Sequence, residues 1–134
     1  MKVYTESFTL KTRGPIDVID ITGRVQDIVT KSGIRNGIAH IFAPHTTGII
    51  ILNEYEPGLL NDLKKVLESL VPSTGEYQHP SNAHAHLRSI LMPPDRCVPV
   101  INGRLALGIW QSILFVETDL YPRTRTIMVT VIGE

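Results

Sequence analysis

The sequence predicts an α+β domain, a mostly antiparallel sheet with two or three helices packed on one side of it. Three observations carry that prediction. Leu59, Leu60, Leu63, Val66, Leu67 and Leu70 fall on one helical arc, with Asn61, Lys64, Lys65 and Glu68 opposite. Asn102-Gly103 stands between two strand-like runs and is the strongest short signal for a type I′ hairpin. The run Gly48-Ile49-Ile50-Ile51-Leu52 has no polar alternation, which marks a strand covered on both faces.

The remaining elements follow in order. Residues 2–12 carry Val3, Tyr4, Thr5, Phe8, Thr9 and Leu10 and read as a strand that Gly14-Pro15 ends. Asp20-Ile21-Thr22 offers cap oxygens ahead of Val25, Ile28 and Val29, one face of a short helix closed by Gly33. Residues 38–43 and 46–52 read as strands joined through Pro44-His45. Pro57 suits the first turn of the helix over residues 57–70, and Pro72-Ser73-Thr74-Gly75 breaks the chain after it. Residues 82–92 are a further candidate helix, stopped by Pro93-Pro94. Residues 97–101 and a long strand from Arg104 to about Thr118 flank the hairpin turn; Tyr121-Pro122-Arg123 then reverses the chain into a last strand over 126–132.

With 43% hydrophobic and 19% charged residues, the 134-residue chain can build a core and is too apolar for disorder. It is too short for a (β/α)8 barrel. No repeat, low-complexity tract or Gly/Ser linker divides it, so residues 1–134 are one domain. Thirteen basic and thirteen acidic residues cancel, leaving no electrostatic footprint for nucleic acid or an anionic membrane. One cysteine makes neither an intrachain disulfide nor a cysteine-based zinc site. No apolar run reaches membrane-spanning length and nothing at residues 1–6 reads as a leader, so a soluble cytoplasmic protein is expected. P-loop, GxGxxG, GxSxG and HExxH patterns are absent.

Polar residues then stand where the pattern expects apolar ones. If 104–118 is one regular strand, Leu105, Leu107, Ile109, Gln111, Ile113, Phe115 and Glu117 share a face that is apolar except at Gln111 and Glu117. A buried carboxylate is costly unless paired or cation-bound. Three readings of Glu117 stand: part of a site, turned into water by a bulge, or neutralised by nearby Arg123 or Arg125. Of five histidines, His79, His84 and His86 fall within eight residues, and imidazole is a common zinc ligand. On a helix His84 and His86 point to different sides; in an extended segment they share one. His45 occupies a turn, Pro44-His45-Thr46-Thr47-Gly48, where Thr46 and Thr47 can donate to an anion and Gly48 permits close approach of a ligand. The alternative there is an ordinary polar turn. Asp62 borders the apolar arc, either at a site's edge or as a solvated flank.

His45-Thr46-Thr47-Gly48 with Asn53-Glu54, Tyr77-Gln78-His79, Asn82 and Ala85-His86-Leu87 resembles the YjbQ-like family. The block from Gly103 to Gln111, with its Leu-Gly-Ile-Trp-Gln ending, and the closing Val129 to Glu134 extend the resemblance over essentially the whole chain. It implies a compact α+β domain assembling as a homotrimer, with polar clefts near subunit boundaries. It also implies a divalent metal on His45, His79 and His86, with Glu54, Asp62, Asn82, Gln111 and Glu117 lining or supporting the cleft. Glu54, Asp62 and Glu117 become the catalytic candidates; Thr46, Thr47, Asn82, Arg88 and Gln111 become the substrate-binding ones. The chain departs from the family pattern at His84, where a small or acidic residue is expected, and at Ser81, where glycine is expected. His84 either adds a ligand or displaces one.

The family is associated with a weak, secondary thiamine phosphate synthase activity, so a small phosphorylated substrate is expected. That reaction expels diphosphate from a pyrimidine methyl carbon, which the thiazole nitrogen captures. It needs a cation on the leaving group and a pocket aligning two rings. A histidine site prefers zinc, whereas diphosphate departure commonly employs magnesium on oxygen ligands. Two other classes stand beside this one: a metal-dependent hydrolase with Glu54 or Glu117 as base, and a small-molecule-binding protein without turnover.

Overall fold

A computed structural model describes residues 1–134. The strands form two antiparallel sheets, not the one expected. The first orders β1 (Lys2–Lys11), β8 (Thr124–Gly133), β3 (Gly37–Phe42), β5 (Asp95–Ile101) and β6 (Arg104–Leu105) side by side. The second orders β2 (Asp17–Asp20), β7 (Ser112–Glu117) and β4 (Gly48–Asn53). The helices are α1 (Thr22–Ser32), α2 (Pro57–Leu70) and α3 (Ala83–Leu91).

The covered strand explains the layering. Along β7, Ile113 and Phe115 enter the main core with Ile50, Ala39, Ile41, Val98 and Val129, while Leu114 and Val116 face the other way onto Ile49 and Leu67. β4 divides likewise, which is why residues 48–52 read as apolar without alternation. α1 closes the main core with Val25, Ile28 and Val29, and α2 lies over the outer face of the second sheet. The helices therefore do not share one side. Each large side chain fully buried between the sheets stabilises the fold by about 1.5–3 kcal/mol relative to exposure.

The long strand expected over 104–118 breaks after Leu105. The chain must pass from the first sheet to the second, and residues 106–111 make that crossing outside either ladder. Gln111 holds the crossing together: its Oε1 accepts the Gly108 N–H at 2.8 Å and its own N–H donates to the Gly108 carbonyl at 3.0 Å. The shared face survives only at Ile113, Phe115 and Glu117. Ile109 and Trp110 project into solvent, 89% and 70% exposed.

Asn102 and Gly103 adopt φ of 52° and 80°, as the β5–β6 hairpin requires. Gly48 serves packing, not ligand approach: a Cβ there would lie 2.6 Å from Cζ of the buried Phe115 ring. β2 was not expected; four residues that look like a loop with a cap pair with β7. Asp20 still works locally, its Oδ1 accepting from Thr22 N–H and Oγ1 at 3.0 and 2.7 Å. No helix is long and apolar enough to cross a membrane.

Candidate functional site

Asn82 precedes the first turn of α3, and its side chain makes no cap bond to that helix. It bridges sideways instead. Its Oδ1 accepts from His79 Nε2 at 3.2 Å, and its Nδ2 donates to Asp119 at 3.3 Å. His86, one helical turn further on, meets the His79 ring edge-on at a centroid distance of 4.6 Å. Both imidazoles line a cavity of about 310 Å³ with Tyr77 and Leu87. Neighbouring Ser81 takes a left-handed φ of 71°, a conformation that disfavours every residue with a Cβ.

Asp119 is the buried anchor behind this pair. It accepts from the Leu120 N–H at 2.8 Å, from Arg123 Nη2 at 2.9 Å and from Thr47 Oγ1 at 3.4 Å. Burial pushes its carboxyl pKa up, but the Leu120 N–H, the Arg123 guanidinium and the Asn82 amide outweigh that and hold it below the ordinary value. Thr47 is buried and joins Asp119 to Arg125, whose Nη2 donates to Thr47 Oγ1 at 2.8 Å.

Arg125 closes the network onto Glu117, which is 0% exposed. Glu117 accepts from Arg125 Nε and Thr12 Oγ1, each at 2.7 Å, from the Asp119 N–H at 3.0 Å, and from Arg125 Nη2. Neutralisation by a nearby arginine is thus the reading of Glu117 that matches this geometry, and no lone pair is left facing a cavity. His45 lies beside the pair, with Nε2 3.0 Å from Thr126 N and 3.1 Å from Thr126 O, so the backbone engages that nitrogen in either tautomer. Burial, then the Arg125 charge, lowers its pKa and keeps the ring neutral near pH 7. His45 and exposed Thr46 line a second cavity, of about 400 Å³, with Arg125.

The three expected metal ligands are therefore not one cluster: His79 and His86 touch, while His45 faces a different cavity. Within the chain no three His, Cys, Asp or Glu side chains assemble as a metal site, so the single chain fits two ligands of the expected trio. His84 does not join the pair's side of α3. It is buried, and burial followed by the charge of Arg88 lowers its pKa.

Other candidates sit elsewhere. Arg88, expected to contact substrate, is 1% exposed. It fastens α3 to α2, donating to Val71 O from Nε at 3.2 Å and from Nη2 at 2.8 Å, and to Glu68 at 2.8 Å. Gln111 is exposed and spends its side-chain oxygen on Gly108. Glu54 and Asp62 come together, but in a cleft of about 210 Å³ between β4 and α2 that shares no lining residue with the His79 cavity. Sequence reasoning missed Asp119 altogether. The signal was present as Glu117-x-Asp119 ahead of Arg123-x-Arg125, two acids and two bases at matching spacing.

Comparison with known proteins gives a consistent picture. The family model described as "UPF0047 protein YjbQ-like" matches residues 6–134. A UPF0047 protein of Methanothermobacter thermautotrophicus is 45% identical, covering 100% of this chain and 95% of that protein. One from Archaeoglobus fulgidus is 45% identical over 90% of this chain and 95% of its own length. The crystal structure of a YbjQ-like protein of unknown function from Sulfolobus solfataricus P2 superposes with a TM-score of 0.96 at 38% identity, covering 99% of both chains. A hypothetical protein from Aeropyrum pernix K1 gives 0.93 at 41% identity, covering 98% of this chain and 99% of that one.

Proposed function

For a chain that belongs to the UPF0047 YjbQ-like family, we propose an enzyme acting on small phosphorylated substrates at the His79–His86 site. Its reaction is displacement of diphosphate, with thiamine phosphate synthesis as a secondary activity. The observation that supports this is the contact between His79 and His86, with His79 held through Asn82 on buried Asp119 and half-exposed Arg123. Two imidazoles supply ring nitrogens able to donate or accept a proton at the substrate. Arg123 adds positive charge behind Asn82, paired with Asp119, but does not line the His79 cavity, and Arg88 is placed too deep to meet a phosphate.

In the displacement, the bond between the pyrimidine methyl carbon and the diphosphate oxygen breaks, and its electron pair leaves on diphosphate. The thiazole nitrogen lone pair forms the new bond to that carbon. Without a bound cation His86 can place a proton on the departing oxygen, and Asn82 fixes the orientation of His79; a cation would take that charge-neutralising role instead. A divalent cation, zinc before magnesium, would rest on His79 and His86, with a further ligand from a neighbouring copy in a homotrimer. Bound there, it would neutralise charge on the leaving group. The hydrolase reading has less support, because neither Glu54 nor Glu117 reaches the His79 cavity as a base.

The test is product formation from the two thiamine precursors. We expect His86→Ala to lower the rate about 100-fold with unfolding unchanged; equal rates in the two proteins would reject the reading. Zinc analysis of protein purified without added metal should show content that falls in His79→Ala and His86→Ala. Sedimentation should give a trimer.

A further inference from the structure

We propose that the cleft between β4 and α2 is a second binding site, for a small organic cation: a protonated amine or quaternary nitrogen carried on an apolar body. The cleft measures about 210 Å³, and Ile51, Leu60, Leu63 and Leu114 are among its apolar walls. Liquid water takes roughly 30 Å³ per molecule, so the space suits one ring or a short branched chain.

Charge decides which apolar molecule fits. The ionisable groups on the lining are Glu54 and Asp62, and no Lys, Arg or His accompanies them. Neither carboxylate takes part in any of the chain's ion pairs. The chain pairs its most buried acids, Glu117 with Arg125 and Asp119 with Arg123. Asp17, Asp20, Asp27, Glu56 and Glu76 also form no ion pair, so what sets Glu54 and Asp62 apart is that they border an apolar cleft. Here two negative charges border an apolar hollow with no counter-charge. An anion is repelled and a neutral molecule gains only the walls. A cation with an apolar body gains both terms.

The adjoining cavity points the same way. Glu54 also lines a space of about 360 Å³ with Tyr55, Ile109 and Trp110. Tyr55 is 49% and Trp110 70% exposed, so their ring faces are open to a cation. No basic residue lines this space either. The site shares no residue with the His79 cavity, so the proposal stands apart from the reading above.

Trp110, the sole tryptophan, lines the adjoining space that shares Glu54, so its fluorescence reports binding beside the cleft. The full chain is titrated with benzylammonium, with benzyl alcohol as the neutral isostere and with benzoate as the anion. Calorimetry runs in parallel, to catch binding that leaves the indole undisturbed. We expect saturable benzylammonium binding, at least about tenfold weaker binding of the alcohol, and none of benzoate. Glu54→Gln and Asp62→Asn should each weaken the amine about threefold, and salt should do the same. His86→Ala should leave the affinity unchanged, which separates this site from the His79–His86 one. Equal affinity for amine and alcohol reduces the cleft to an apolar hollow and overturns the proposal. Silence toward all three probes also overturns it, including the case in which a second copy of the chain fills the cleft.

Discussion

The two ends of the second sheet are built on opposite electrostatic plans. β4 starts at Gly48, opposite Glu117 of β7, and ends at Asn53, opposite Ser112. At the Gly48 end, buried Glu117, Arg125, Asp119 and Thr47 and half-exposed Arg123 satisfy one another in one knot, and no buried polar side-chain atom of the chain lacks a partner. At the Asn53 end, Glu54 and Asp62 face a half-open apolar cleft with no counter-charge. The second sheet thus carries a polar anchor at one end, closed by Arg125 of β8, and an apolar cleft bordered by two acids at the other. Polar residues fixed by one another position a site; polar residues left without partners are where a ligand adds something.

Breaking the knot should cost most. Arg125→Met leaves Glu117 buried and unpaired, and we expect a loss of about 3–5 kcal/mol in denaturant unfolding. Glu54→Gln, at the open end, should stay within about 0.5 kcal/mol. Comparable losses at the two ends would erase the contrast. Next comes Gly48→Ala, which drives a methyl into the Phe115 ring and should cost about 1–3 kcal/mol by the same measurement.

Acid should loosen the knot in two stages. The folded pKa of His45 lies below its unfolded value, so below about pH 6.5 the unfolded chain takes up the proton more readily and stability falls with pH. Asp119 is depressed too. Its contribution is present above the ordinary carboxylate pKa and is lost as pH falls through the lower folded value. Unfolding measured from pH 8 to pH 3 should show both stages. His45→Gln should shrink the first, with buried His84 carrying the rest of it, and Asp119→Asn should shrink the second, which Glu68 shares. The smallest effect belongs to Ser81→Gly beside the knot. It relieves the left-handed φ at some entropic cost, for a net gain of about 0.5 kcal/mol in a thermal melt.

What was legible in the sequence was what local chemistry decides. The arc of leucines over residues 57–70 and the Asn102-Gly103 turn carry their own geometry, and β4 reads as doubly covered because it is. The crossing at 106–111 was not legible, because alternation encodes a face and not which sheet a strand joins. Among site residues, His79, His86 and Asn82 lie close in sequence and do converge. His45 and Arg88 did not go where expected, since only tertiary packing decides that one side chain meets Thr126 and the other Val71. Glu117 was recognised as anomalous, and its partner, eight residues on, was among the alternatives named for it.

The attachment of α2 has a mechanical consequence. Leu67 is its one fully buried side chain, and Arg88 grips the carbonyl of Val71 just beyond its last turn. Toward the other end the helix is held only by half-buried Leu60 and Leu63, so a rod gripped firmly at one end pivots about that grip. Residue 59 stands about 12 Å along the axis from residue 67, so a small pivot hardly stirs the gripped end and moves the far end most. Ligand bulk would be felt first near Leu59, as a graded opening of the jaw with its hinge at Leu67.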